Sequence, residues 1–285
     1  MQGRVVVVTG AGSGIGRALA LGFAARGSKI VVADVQDDAR RETVALLEAG
    51  GSEALGVEVD VSSADSVEAL AAATIERFGE VHVVCNNAGV GGGGLIKDQQ
   101  LVDWKWVVDV NLWGVIHGVH FFLPHLRAAE EAHIMATSSV AGLTSTPGLG
   151  PYNAAKFGVV GLMETLFHEM ERDTESNVGV SVLCPGVVRT NIITAQRNRP
   201  AHLKRERKGG SVGDDARRRN ANVAAALAER GMDPADVATC VIDASLERRF
   251  WVLSHPEHLA EIEHRNQSLH ALTNPTLTGS FTDGD

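Results

Sequence analysis

Apolar residues recur along this chain in two rhythms that alternate from one end to the other. Short, nearly unbroken runs rich in Val and Ile stand at "RVVVVT" (4–9), "KIVVAD" (29–34), "ALGVEVD" (54–60), "VHVVCN" (81–86), "AHIMATSS" (132–139), "VGVSVLCP" (178–185) and "RFWVLS" (249–254). Between them lie stretches of helical periodicity at 16–26, 37–49, 63–78, 99–127, 150–173 and 234–247. Strands this apolar need cover on both faces, and strands alternating with helices are joined by right-handed crossovers. The pattern predicts an α/β fold, a doubly wound parallel sheet in a single domain spanning 1–285. One stretch breaks the rhythm: 197–219, "RNRPAHLKRERKGGSVGDDARRR", is polar and aperiodic, and predicts an exposed flap over about 191–230.

Composition narrows the partners. With 44% hydrophobic residues in 285 the chain can bury a sizeable core, and a net charge of −9 argues against nucleic acid or an anionic membrane. A small molecule is the expected partner. The opening apolar run is too short for a signal peptide, and no later segment is uninterruptedly apolar for about 18 residues, so a cytoplasmic protein is expected. Cys85, Cys184 and Cys240 are an odd number in apolar surroundings, which predicts reduced core thiols. His117/His120 and His255/His258 share a three-residue spacing but lack further ligands at metal-binding spacing. They predict packing or capping, and no metal.

The first strand-to-helix turn carries chemistry. "TGAGSGIG" (9–16) fails the Gly-x-Gly-x-x-Gly pattern because Ile15 stands at its last position; the operative glycines are Gly10, Gly14 and Gly16. Such a turn lets helix N-terminal amides face a diphosphate, and the predicted sheet is Rossmann-like. Asp34, at the end of the next strand, can accept hydrogen bonds from an adenosine ribose and repel a 2′-phosphate, or cap the helix beginning near Asp37. The only tyrosine, Tyr152, precedes Lys156 by four residues, one turn on a shared helix face. A fixed cation there favours phenolate and makes Tyr152 a usable general base.

"TGAGSGIG", "NNAG" (86–89), Asn111 in "VNLWG", "SS" (138–139), "YNAAK" (152–156) and "PGVVRT" (185–190) follow one another over roughly residues 3–195. In that order the chain resembles the short-chain dehydrogenase/reductase family. The resemblance implies an NAD-dependent oxidoreductase acting on a secondary alcohol or ketone. It implies Tyr152 as catalytic acid/base, Lys156 as the residue that holds the nicotinamide ribose and lowers the Tyr152 pKa, and Ser139 as the hydroxyl orienting the substrate oxygen. Ser138 competes for that role but is spaced one residue too far from Tyr152. Asn111 would offer its backbone carbonyl from a kinked helix to a water connecting Lys156 to solvent. The cofactor would meet Gly10, Ser13 and Ile15 at the diphosphate, Asp60 and Val61 at the adenine, and Asn87, Ala88 and Gly89 along the adenosine side. Pro185, Gly186, Val188 and Thr190 would meet the nicotinamide. Asp60 could also cap the helix that follows it.

Two alternatives remain open on the sequence: a non-catalytic NAD-sensing protein, and an epimerase or dehydratase of the same superfamily, against which the 10/14/16 glycine frame argues. Val140, Leu143 and Ile192 suggest an apolar pocket wall and a substrate with a bulky hydrophobic or aromatic body. The family implies a homotetramer built on the helices near 99–127 and 150–173, where Trp104, Trp106, Trp113, Phe121 and Phe122 concentrate aromatic area, or else serve as core. The stretch 197–219 holds nine Lys/Arg (including Arg205, Arg207 and Lys208) against three acids, a formal +6 that leaves −15 elsewhere. It is either a solvated run or a recruiter of anionic substrate.

Overall fold

Seven strands form where the apolar runs stand: β1 (Val5–Thr9), β2 (Lys29–Asp34), β3 (Ala54–Glu58), β4 (Val83–Asn86), β5 (Ala132–Thr137), β6 (Val178–Leu183) and β7 (Trp251–Val252). The computed structural model describes residues 1–205 and 229–277. All strand pairs are parallel, in the order β3-β2-β1-β4-β5-β6-β7. The order reverses between β1 and β4, which opens a crevice beyond their C-terminal ends.

β1 shows why both faces need cover. Val5 and Val7 enter one core with Val84, Phe122, Val159 and Met163, while Val6 and Val8 enter the other with Leu19, Phe23, Ile30 and Ile242. Helices α3 (Ala64–Phe78), α5 (Gly114–Ala128) and α6 (Gly150–Arg172) cover the first face; α1 (Gly14–Ala24), α2 (Asp37–Ala49) and α7 (Pro234–Leu246) cover the second. A further helix, α8 (Leu259–His270), buries no residue. Local signals set the ends. Ser63 accepts from the Ser66 amide at the start of α3, and Gly79, at φ 81°, closes it in the left-handed region that other residues avoid. Asp60 is therefore not the cap of α3: its carboxylate accepts instead from the amide and hydroxyl of Ser62.

The expected long helix over 99–127 is interrupted. α4 (Leu101–Val108) runs into a π-helical turn, Asp109–Trp113, before α5 begins. The whole stretch Leu101–Ala128 is long and apolar enough to cross a membrane, by length and composition only. Its inner stripe, with Trp106, Val115, Phe122 and Leu126, is buried in the protein. The aromatic cluster thus divides, since Trp106 and Phe122 are core while Trp113 is 48% exposed. Of the three unpaired cysteines Cys85 and Cys184 are buried, but Cys240 is only partly so, because it lies at the margin of the α7 stripe formed by Val237, Val241 and Ala244. Among the described residues no group of three or more His, Cys, Asp or Glu could hold a metal ion.

His133, on β5, is buried and polar. Its Nε2 lies 2.8 Å from Ser181 Oγ, which itself donates to the Arg249 carbonyl at 2.6 Å, so Nε2 carries the hydrogen; Nδ1 has no partner among the described residues. Burial first, and then the Arg248 charge, push its pKa down to about 3. The folded state therefore keeps His133 neutral while the unfolded chain takes up a proton below about pH 6.5. Stability present above that pH is lost as pH falls toward 3, at about 1.4 kcal/mol per pH unit for one proton. Urea denaturation at pH 7, 6 and 5 should show this slope, and His133→Gln, although destabilised overall, should lose stability less steeply over the same range. Parallel slopes would contradict it.

Candidate active site

The turn from β1 into α1 packs too closely for side chains. Gly10 (φ 66°) and Gly14 (φ 53°) adopt left-handed backbone, and a Cβ on Gly16 would lie 2.1 Å from the Gly10 carbonyl oxygen. Gly12, outside the frame singled out in the sequence, is equally constrained: its amide donates to Asp34 Oδ2 at 2.8 Å, and a Cβ there would strike that carboxylate. No side chain caps α1, so its first amides face the cleft at the sheet reversal. A diphosphate fits this cradle on both counts, close backbone approach and oriented amides.

Asp34 accepts from the Gly12 amide through one oxygen and from the Gln36 amide, at 2.9 Å, through the other. It does not cap α2, whose N-cap is Gln36. Each carboxylate oxygen retains a lone pair for a ribose hydroxyl. Across the cleft Thr9 gathers the end of β4, its hydroxyl accepting from the amides of Asn87 and Ala88 at 3.0 Å each. Asn87 is held by the Thr9 carbonyl and by Thr137.

Every expected cofactor residue lines this one cleft: Gly10, Ser13, Ile15, Asp34, Asp60, Val61, Asn87, Ala88, Gly89, Tyr152, Lys156, Pro185, Gly186, Val188 and Thr190. Ser139 lines it as well, whereas Asn111 stands behind it. Fully buried in the π-helical turn, Asn111 accepts from the Val90 amide at 2.7 Å and donates to the Val90 carbonyl at 2.9 Å. The side chain thereby fixes the wall, and the π turn changes the backbone hydrogen bonding around it.

The two serines separate by what they touch. Ser138 is buried and donates to the Lys156 carbonyl at 2.9 Å, a bond that ties β5 to α6. Ser139 lines the cleft beside Tyr152, accepts from the Ala141 amide at 3.1 Å and draws the Tyr152 pKa down. Lys156 is buried; its Nζ donates to the Thr137 carbonyl at 2.7 Å and stands 5.6 Å from the centre of the Tyr152 ring.

One expectation about this pair needs correction. The cation is expected to lower the Tyr152 pKa, but burial raises it, with Ser139 pulling the other way. Burial also brings Lys156 down to about 8, opposed by Cys184. The reason is shared desolvation: both groups lose water, and the ammonium spends a hydrogen bond on Thr137 rather than on the phenol.

The substrate end differs from its expected lining. Ile192 is in the wall, but Val140 and Leu143 are not; Val90, Trp106, Val110 and Ala195 take their place. These residues had no chemical signature to mark them, and Trp106 reads as ordinary core on a helical stripe. The first part of the expected flap folds over them as short 3-10 turns, Ile192–Asn198 and Ala201–Leu203. Asp103 of α4 holds it there, through Arg199 Nη1 at 2.7 Å and Arg205 Nε at 2.8 Å, while Arg199 also stacks on Trp106. Burial pushes the Asp103 carboxyl up, but bonds from Arg205, the Gln100 amide and Arg199 leave it below the usual carboxylate range. Arg199 and Arg205 are thus engaged within the protein, and Arg197 donates to Gln36. Residues 206–228, including Arg207 and Lys208, lie outside the described residues.

Comparisons with known proteins agree with this geometry. The family model for short chain dehydrogenases matches residues 4–201. The chain is 41% identical over 191 residues to the oxidoreductase SadH of Mycobacterium tuberculosis, covering 67% of this chain and 69% of that one. It is 30% identical to a CLA biosynthesis dehydrogenase/reductase of Lactiplantibacillus plantarum, over 92% of this chain and 91% of the relative. The crystal structure of a short chain dehydrogenase/reductase from Burkholderia phymatum in complex with NAD superposes with a TM-score of 0.93 at 44% identity, covering 98% of both chains. A glycine turn at the reversal of a seven-stranded parallel sheet, with Ser139, Tyr152 and Lys156 across the cleft, thus places this chain in the short-chain dehydrogenase/reductase family of oxidoreductases.

Proposed function

We propose that the protein interconverts a secondary alcohol and a ketone with NAD as its hydride carrier, on a small molecule with a bulky hydrophobic or aromatic body. The observation that carries this reading is Tyr152 at the cleft, with Ser139 lining the same cleft and the Lys156 ammonium beside its ring. When bound, the nicotinamide would supply the hydride acceptor. The chain supplies the proton chemistry and the alignment. Tyr152 takes the hydroxyl proton as the carbonyl forms, and Ser139 donates a hydrogen bond that keeps the substrate oxygen within reach of the phenol. Lys156, fixed by Thr137, sets a positive charge that favours phenolate once the phenol is engaged. Because burial raises the Tyr152 pKa, alcohol oxidation should gain rate as pH rises above neutrality.

The wall of Val90, Trp106, Val110, Ile192 and Ala195 supports an apolar substrate body, and three of the described cations of the 191–205 segment, Arg197, Arg199 and Arg205, are bonded within the protein rather than free for an anionic one. Asp34 and the NAD-bound relative support NAD over NADP. Three unpaired thiols accord with a cytoplasmic setting. A surface groove on α5 and α6, lined by Ile116, Val119, Leu123 and Leu162, supports assembly through these helices into a homotetramer.

Three outcomes are expected. Tyr152→Phe should lower kcat by about 10²–10⁴ while leaving NAD affinity within a few-fold, measured by steady-state rates on an alcohol panel and by calorimetry; rates within about tenfold of wild type would remove Tyr152 from the chemistry. NAD should exceed NADP in kcat/KM, and Asp34→Ala should erode the preference by removing the charge that opposes a 2′-phosphate. Equal kcat/KM for both cofactors in the wild type would contradict that role. Light scattering should give a mass about four times that of the 30.1 kDa chain, and a monomer mass would overturn the assembly.

A further inference from the structure

The segment that follows β6 lines the cleft through Pro185, Gly186 and Val188, yet the strand ends at Leu183 and does not itself hold it. It is held in part by Met232, whose amide donates to the Val187 carbonyl at 2.9 Å, and in part from the far end of the chain. His255, three residues beyond β7, is 6% exposed and lies against this backbone. The Gly186 amide donates to its Nδ1 at 3.1 Å, and the Val187 carbonyl lies 3.0 Å from its Nε2. An amide can only donate and a carbonyl only accept, so the ring is a neutral imidazole with its proton on Nε2. The Ser254 hydroxyl sits 2.9 Å from Nδ1, on the accepting side.

The contact is close enough to dictate a residue type. A Cβ on Gly186 would lie 2.9 Å from His255 Cγ and 2.8 Å from His258 Nε2, so the loop approaches the ring only as glycine. The preceding residue carries the connection into the reaction site. The Pro185 carbonyl accepts from the Val140 amide at 3.0 Å and from the Ser139 hydroxyl at 3.4 Å. Ser139 in turn lines the cleft with Tyr152, whose pKa it draws down.

We propose that His255 is a positioning residue for the reaction. Its two ring nitrogens fix the Gly186–Val187 backbone, and through Pro185 they set both the loop that faces the cofactor and the hydroxyl that orients substrate beside Tyr152. This role rests on the NAD-dependent reading above. It assigns a function to one of the paired histidines that the sequence leaves to packing or capping, in a region beyond the 4–201 family match.

The test compares His255→Phe, which fills the space but makes neither bond, with His255→Gln, which carries one acceptor and one donor on a chain of similar reach. NAD binding is measured by calorimetry without substrate, alongside kcat and KM for an alcohol the wild type oxidises, on protein shown by a cooperative melt to be folded. In His255→Phe the NAD Kd should rise and kcat should fall, each by about tenfold, with the alcohol KM little changed, and His255→Gln should recover most of both. If His255→Phe lowers only the melting temperature and leaves Kd and kcat per folded protein unchanged, the residue is structural and the proposal is overturned. If His255→Phe does not fold, His255→Asn, which keeps the Gly186 bond but is too short for Val187, should show losses of about threefold, and unchanged values there overturn it equally. A wild-type chain that binds no NAD would sink the dehydrogenase reading instead, which keeps the two failures distinct.

Discussion

A parallel strand with valine on both faces cannot leave either one in water, and most of this molecule follows from that. β1 sends Val5 and Val7 to one core and Val6 and Val8 to the other, each side chain essentially inaccessible. Burying such a side chain contributes roughly 1.5–3 kcal/mol, so helices must return over both faces of the sheet. Every crossover then starts from the same edge of the sheet. The C-terminal strand ends, with their unpaired backbone groups and their turns, are thereby collected in one place. Where the winding reverses, β1 and β4 part, and the crevice receives the Gly10–Gly16 turn from one side and Asn87–Gly89 from the other. Thr9 joins the two through bonds to consecutive amides.

That geometry creates an electrostatic problem which the site solves with backbone rather than with counter-charges. Lys156 is a buried ammonium whose pKa falls to about 8, and its described hydrogen-bond acceptor is a main-chain carbonyl at the end of β5. Among the described residues no carboxylate pairs with it, so its positive charge stands in the cleft without a counter-charge. Tyr152 pays the corresponding cost of burial in a raised pKa. The substrate end is built differently, with a true ion pair. Asp103 and Arg199 are both nearly inaccessible and hold the 191–205 segment over Trp106. A buried pair of this kind is a poor source of net stability, but breaking one partner is costly, which suits a contact that keeps a wall in a single position.

The sequence by itself determined the sheet, most of the helices and most of the residues that meet at the cleft, because each of these has a local cause. Val-rich runs and helical stripes announce their own period, Gly10 and Gly14 announce a left-handed turn, and four residues of spacing place Tyr152 over Lys156 on one helix face. Only the tertiary structure decided what distant residues do to one another. What separates Ser138 from Ser139 is a contact, since Ser138 donates to the Lys156 carbonyl. The direction of the Tyr152 shift depended on desolvation, which no spacing reports. Asp103 looks like a first-turn helix residue until Arg199 and Arg205, about a hundred positions later, close on it, and His255 looks like packing until β7 brings it under Gly186. Hydrogen bonds and burial between such separated residues leave no periodic trace along the chain, so they can be read only after the strands have been brought side by side.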